Sequence, residues 1–139
     1  MTASAYQQMI FVNLPVDDLE ASKKFFTGLG YSINPQFSDE NAASVVISDT
    51  IVAMLLTKPF YATFTKKEIA DATRTSEVLV ALSAESREKV DELVDRALAS
   101  GGTPSGDTQD HGFMYGRSFD DLDGHTWEVV WMDPASIEG

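Results

Sequence analysis

The chain has 139 residues, and its 10 Lys and Arg stand against 22 Asp and Glu, a formal charge of −12. Phosphate recognition needs a basic surface and counterion release, so this field excludes a nucleic-acid partner and disfavours an anionic membrane. With 43% apolar residues, 23% charged and no cysteine, the composition is that of one globular domain without disulfides, thiolate metal sites or a cysteine nucleophile.

Met1 to Gln8 carries no basic residue and no apolar run, so no secretory leader is expected and the cytoplasm is the default location. From Met9 to Val16 the residues Ile10, Val12, Leu14 and Val16 alternate with the rest, which predicts a strand with its even positions packed. Asp17, with Glu20 three residues on, predicts a helix N-terminus. Leu19, Phe25, Phe26 and Leu29 then give a helical stripe over about 17–29 that Gly30 ends. Three short strands follow, Tyr31 to Ser38, Ala43 to Ser48 and Ile51 to Thr57, with a turn at Asp49-Thr50.

Lys58 to Ser76 reads as a connector with its own short helix around Thr65 to Ala72. Its aromatics, Phe60, Tyr61 and Phe64, either pin the crossover or cover a ligand. Val78, Val80 and Leu82 alternate as a strand. Val90, Leu93, Val94, Ala97 and Leu98 follow helical spacing, and Gly101-Gly102 and Pro104 stop that helix. Gly112 to Asp120 and Thr126 to Met132 read as strands joined by a hairpin whose signal is Asp123-Gly124. Trp127, Val129 and Trp131 alternate opposite Glu128 and are expected in the core.

Strand, helix and strands therefore occur twice, with Gly30 answering Gly101 and Asp49-Thr50 answering Asp123-Gly124. This duplication predicts an α+β domain over 1–139 made of two βαβββ units, about 9–57 and 77–133, around the connector 58–76. Helices cover the outer faces of the sheets, and the remaining faces form a cup in which ligands bind.

Phe11-Val-Asn-Leu-Pro-Val-Asp-Asp-Leu-Glu-Ala-Ser22, Phe25-Phe-Thr-Gly-Leu-Gly-Tyr31 and Phe119-Asp-Asp-Leu-Asp-Gly-His-Thr-Trp-Glu128 resemble the vicinal oxygen chelate superfamily. That superfamily includes glyoxalase I, extradiol dioxygenases, and fosfomycin and bleomycin resistance proteins. The resemblance covers nearly the whole chain. It implies a homodimer and a divalent metal held by four positions, one in the first and one in the last strand of each unit.

Carried over residue by residue, those positions fall on Phe11, Met54, Glu77 and Glu128, with Val78 replacing Glu77 if the alignment slips by one. Phe11 cannot ligate a metal, and a thioether is a poor ligand for hard or borderline cations. The expected cup has therefore lost its metal and needs no cofactor; it binds a small organic molecule, with Glu128 as general base or hydrogen-bond acceptor. Phe11 and Met54 would line it, and Tyr115 and Arg117 would reach the ligand if their strand face is inward. One alternative is a divalent-metal lyase, isomerase or dioxygenase using Glu77 and Glu128. Another is an antibiotic-sequestering protein of the bleomycin-binding type, its acidic cup suited to a cationic drug. His125 reads as a turn residue and His111 as a surface one.

Overall fold

A computed structural model describes residues 6–137, so most of the stretch on which the leader expectation rests lies outside the described residues. Contacts divide the chain into two compact units, 1–27 with 31–69 and 28–30 with 70–139.

In the first unit β1 (Ile10–Val16) leads into α1 (Leu19–Gly28). The helix begins one residue later than its sequence suggests. Asp18 caps it, its Oδ1 accepting from the Ala21 N–H at 3.1 Å, while Asp17 pairs with Lys58 at 2.6 Å. Glu20 pairs with Lys23 and closes no capping box. β2 (Ser32–Asn34) is shorter than expected: Asn34 Oδ1 accepts from the Gln36 N–H and Pro35 starts a 3-10 turn, which ends the strand. β3 (Ala42–Val46) and β4 (Ile51–Thr57) complete a sheet of order β1-β4-β3-β2, with β1 and β4 parallel. Leu14, Val16, Ala43, Val45, Ala53 and Leu55 share one face of that sheet and are buried. Phe25 and Phe26 of α1 are buried too and meet edge to face at 5.0 Å. Truncating either ring to alanine removes about 3–5 kcal/mol.

The connector's helix is α2 (Lys58–Tyr61), not one at 65–72. In the latter stretch side chains compete for the backbone: Thr65 Oγ1 accepts from the Lys67 N–H and Asp71 Oδ1 from the Thr73 N–H, favouring turns over a helix.

The second unit repeats the plan. β5 (Leu79–Ser83) leads to α3 (Arg87–Ala99), capped by Ser86, whose hydroxyl oxygen accepts from the Lys89 N–H. β6 (Thr103–Pro104), β7 (Gln109–Asp110), β8 (Met114–Asp120) and β9 (Thr126–Met132) follow, before a last short helix, α4 (Pro134–Ile137). The sheet order is β5-β9-β8-β6, with β7 also on β8. Even the helix exits match. Gly30 and Gly101 have φ of 106° and 111°, and the N–H one residue beyond each reaches back five residues, Tyr31 to Phe26 and Gly102 to Ala97. Val90, Val94 and Ala97 of α3 are buried, as are Phe119, Trp127 and Val129, with Phe119 stacked on Trp127 at 6.5 Å. Trp131 departs from the expected core: it is half-buried, under the Arg87 guanidinium at 5.3 Å. Among the described residues no helix is long and apolar enough to cross a membrane.

Candidate functional site

Strand pairing fixes which side chains share a face, because directly opposed residues project to the same side. In the first sheet Phe11 opposes Val52, and Met54 lies between Asn13 and Ser44. Phe11 and Met54 therefore stand on one face, opposite the buried set of Leu14, Val16 and Leu55. Phe11 is 54% exposed and Met54 half-buried.

In the second sheet Glu128 of β9 stands between Ser118 of β8 and Ala81 of β5. These three share a face with Leu79, Met114, Gly116, Asp120, Thr126 and Val130. The other face packs against α3 and carries Tyr115, Arg117, Phe119, Trp127, Val129 and Trp131. The orientation that the sequence left open for Tyr115 and Arg117 is thus toward the helix. Tyr115 Oη donates to Asp91 at 2.7 Å, and Arg117 donates to Asp91 at 2.8 Å and Asp95 at 3.0 Å. The Tyr115 bond, with the Arg117 charge, holds the Asp91 carboxyl below its ordinary range, and the same bond pushes the Tyr115 phenol up.

The register also moves the alignment of the first strands. Asn13 pairs with Met54, and Ala81 is its counterpart beside Glu128, so the residue matching Phe11 is Leu79. Glu77 is exposed and precedes β5, four residues from Ala81, about 13 Å along an extended chain. Leu79, 58% exposed, occupies the place expected for Glu77. Of the four positions three are then apolar, and one carboxylate is far short of the three or more protein ligands that a divalent site needs. The residues present do not fit the metal that the resemblance implies.

Glu128 has no hydrogen bond or ion pair among the described residues, and neither has the Ser118 hydroxyl; both are half-buried. On the same face Asp120 is satisfied by Thr126 Oγ1 at 2.7 Å.

Two further polar constellations were not legible as such. Arg87 forks onto Asp110 at 2.9 and 2.8 Å, donates to the Gly112 carbonyl, and lies 5.0 Å from the centre of the Tyr115 ring. That fork and the Gly112 N–H hold the Asp110 carboxyl down at about 2. Asp121 is buried. Its Oδ1 accepts from the backbone N–H groups of Asp123 and His125, and its Oδ2 from Trp127 Nε1, each at 3.0 Å. Burial raises its pKa despite these donors. Asp121, Asp123 and His125 each offer a ligand atom within 4.8 Å of the others, yet three donors already occupy Asp121, and the group builds the turn. An Asp two residues before Asp-Gly and six before a Trp was the available signal. His111 is exposed, and Phe60 packs edge-on against Phe64 at 5.1 Å.

Residues 8–48 match a family model described as bleomycin resistance protein-like N-terminal. A hypothetical protein from S. aureus shares 29% identity over 91% of this chain and 95% of its own, with a TM-score of 0.75. A glyoxalase-related enzyme from Fulvimarina pelagi shares 22% identity over 91% and 88%, with a TM-score of 0.75. A fosfomycin resistance protein from Mesorhizobium loti shares 15% over 99% and 100%, with a TM-score of 0.65. No curated protein matches the sequence.

Proposed function

We propose, for a chain that carries the vicinal oxygen chelate fold and belongs by it to that superfamily, that it binds a small organic molecule without a divalent metal at the fold's usual positions. The observation that carries this reading is the donor set: Glu128 alone at four positions otherwise held by Phe11, Met54 and Leu79. Glu128 is the polar anchor, and Leu79, on the same face of the second sheet, supplies apolar contact area. Nothing in that set can polarise a substrate as a metal would, so the chemistry left to Glu128 is to accept a hydrogen bond or a proton. Metal analysis of protein purified without chelator tests the reading. No stoichiometric Mn, Fe, Ni or Zn is expected, and one equivalent of any of them overturns it in favour of a metalloenzyme.

Sequestration of a drug is a second reading, supported by the match of residues 8–48 to a bleomycin resistance-like model and by the acidic charge. Such a protein binds its ligand without turnover, so recovery of unaltered ligand after long incubation separates it from an enzyme. The chain is also proposed to act as a homodimer. The exposed Ile10 of β1, on the face opposite Phe11, supports this, and light scattering at micromolar concentration giving the mass of one chain refutes it.

A further inference from the structure

Resting on the small-molecule reading above, we infer that Ser118 and Glu128 form one recognition pair that selects a primary ammonium group carried on an apolar body. The two residues oppose each other across β8 and β9 and project from the same face of the second sheet. Directly opposed side chains have Cβ atoms about 4.5–5.5 Å apart, so one ligand atom can touch both. Each is without a hydrogen-bond partner among the described residues, whereas Asp120, their neighbour on that face, is bonded to Thr126.

The nearest neighbours of the pair on this face are small. Ala81 flanks Glu128 on β5, and Gly116 lies two residues from Ser118 on β8. Gly106 has no side chain over the hydroxyl: a Cβ there would come within 3.5 Å of Ser118 Oγ. Leu79, Val130 and Met114 supply apolar surface around this gap.

Charge decides the ligand's chemistry. A half-buried carboxylate without a counter-charge gains most from a cation that also donates, since charge-assisted hydrogen bonds are about twice as strong as neutral ones. Asp120 on the same face and the net charge of −12 attract cations and repel anions. An ammonium has several N–H groups, one for Glu128 and a second for the Ser118 oxygen as acceptor. A quaternary ammonium has the charge but no N–H, so it forgoes both bonds, and Ser118 accounts for the part of the difference that Glu128 does not.

The test titrates the intact protein with phenethylamine, its N,N,N-trimethyl analogue, 2-phenylethanol and phenylacetate, read by backbone amide shifts at 79–81, 116–118 and 128–130. Phenethylamine is expected to bind at least tenfold tighter than the other three. Glu128→Gln should abolish that preference, and Ser118→Ala should narrow the gap between primary and quaternary amines severalfold while leaving both above the alcohol. Ser118→Thr, which keeps the hydroxyl, should restore the gap. Equal binding of all four compounds on this face overturns the recognition pair and leaves the small-molecule reading standing. A gap unchanged in Ser118→Ala overturns the role of Ser118. Absence of shifts on this face with all four overturns both the pair and Glu128 as anchor.

Discussion

Gly124 stands at φ +88°, and a Cβ placed on it would come 2.8 Å from both the N and Cα of Thr73 and 2.9 Å from the carbonyl carbon of Ala72. The neighbour is backbone, which cannot swing aside as a side chain tip can. Gly124→Ala therefore carries two costs: about 1 kcal/mol for an L residue in the left-handed region, and about 1–3 kcal/mol to displace the 72–73 segment. Gly112 supplies the control, with φ +81° and no atom within 4 Å of the place its Cβ would take. Gly112→Ala should lose only the first cost. Thermal and urea unfolding of the two variants should place Gly124→Ala about 1–3 kcal/mol below Gly112→Ala, or roughly 4–12 °C in Tm for a chain of this size. Equal stabilities would refute the reasoning, since they would mean that residues 72–73 yield freely. The outcome bears on the site because this turn sets the register of β9, and a slip of one residue would turn Glu128 toward α3.

Three further predictions concern titrating groups. Asp110 is held at about 2, so the Arg87 fork should persist as pH falls below the ordinary carboxylate range and open only near pH 2; Arg87→Met should move the Asp110 carbon-13 titration up toward its ordinary value, short of it because the Gly112 N–H still donates. The sign for Asp121 is opposite. Its folded pKa is raised above 3.8, so its contribution is full below that value and is lost as pH rises through the folded pKa. Wild type should therefore lose stability relative to Asp121→Asn over that interval in paired denaturation curves, and a parallel pair would contradict the burial argument. Tyr115→Phe removes the bond to Asp91 and should cost about 0.5–1.5 kcal/mol in urea unfolding, with the Asp91 carboxyl moving up toward its ordinary value.

Where local signals carry the information, the sequence was enough. Ile51 to Thr57 and Thr126 to Met132 are strands with the bounds that the strand and turn signals predict, and Gly30 and Gly101 end their helices as left-handed caps. What escaped was set at a distance. Asp17 looked like the cap, but Asp18 takes that role and Asp17 pairs with Lys58, 41 positions on. The faces of Tyr115 and Arg117 depend on which side of the sheet α3 packs, which strand alternation does not encode. Leu79 displaced Glu77 because the parallel register of β5 on β9 is fixed by long-range pairing, two residues away from the local hydrophobic match. Trp131 keeps the inward parity of Trp127, but near the end of its strand it stands beneath a guanidinium instead of within the core.

The strand orders have a consequence for association. In the first sheet the edge opposite β1 is β2, three residues long and cut off by Pro35. In the second, the edge opposite β5 is split into β6 and β7, two residues each, on either side of Gly106 at φ +66°. Each sheet thus has one long free edge and one broken edge. A broken edge offers too short a row of amides and carbonyls to template another strand, so strand pairing between chains is confined to β1 and β5. The interruptions that shorten β2, β6 and β7 thus leave each sheet with a single edge long enough to meet a partner strand.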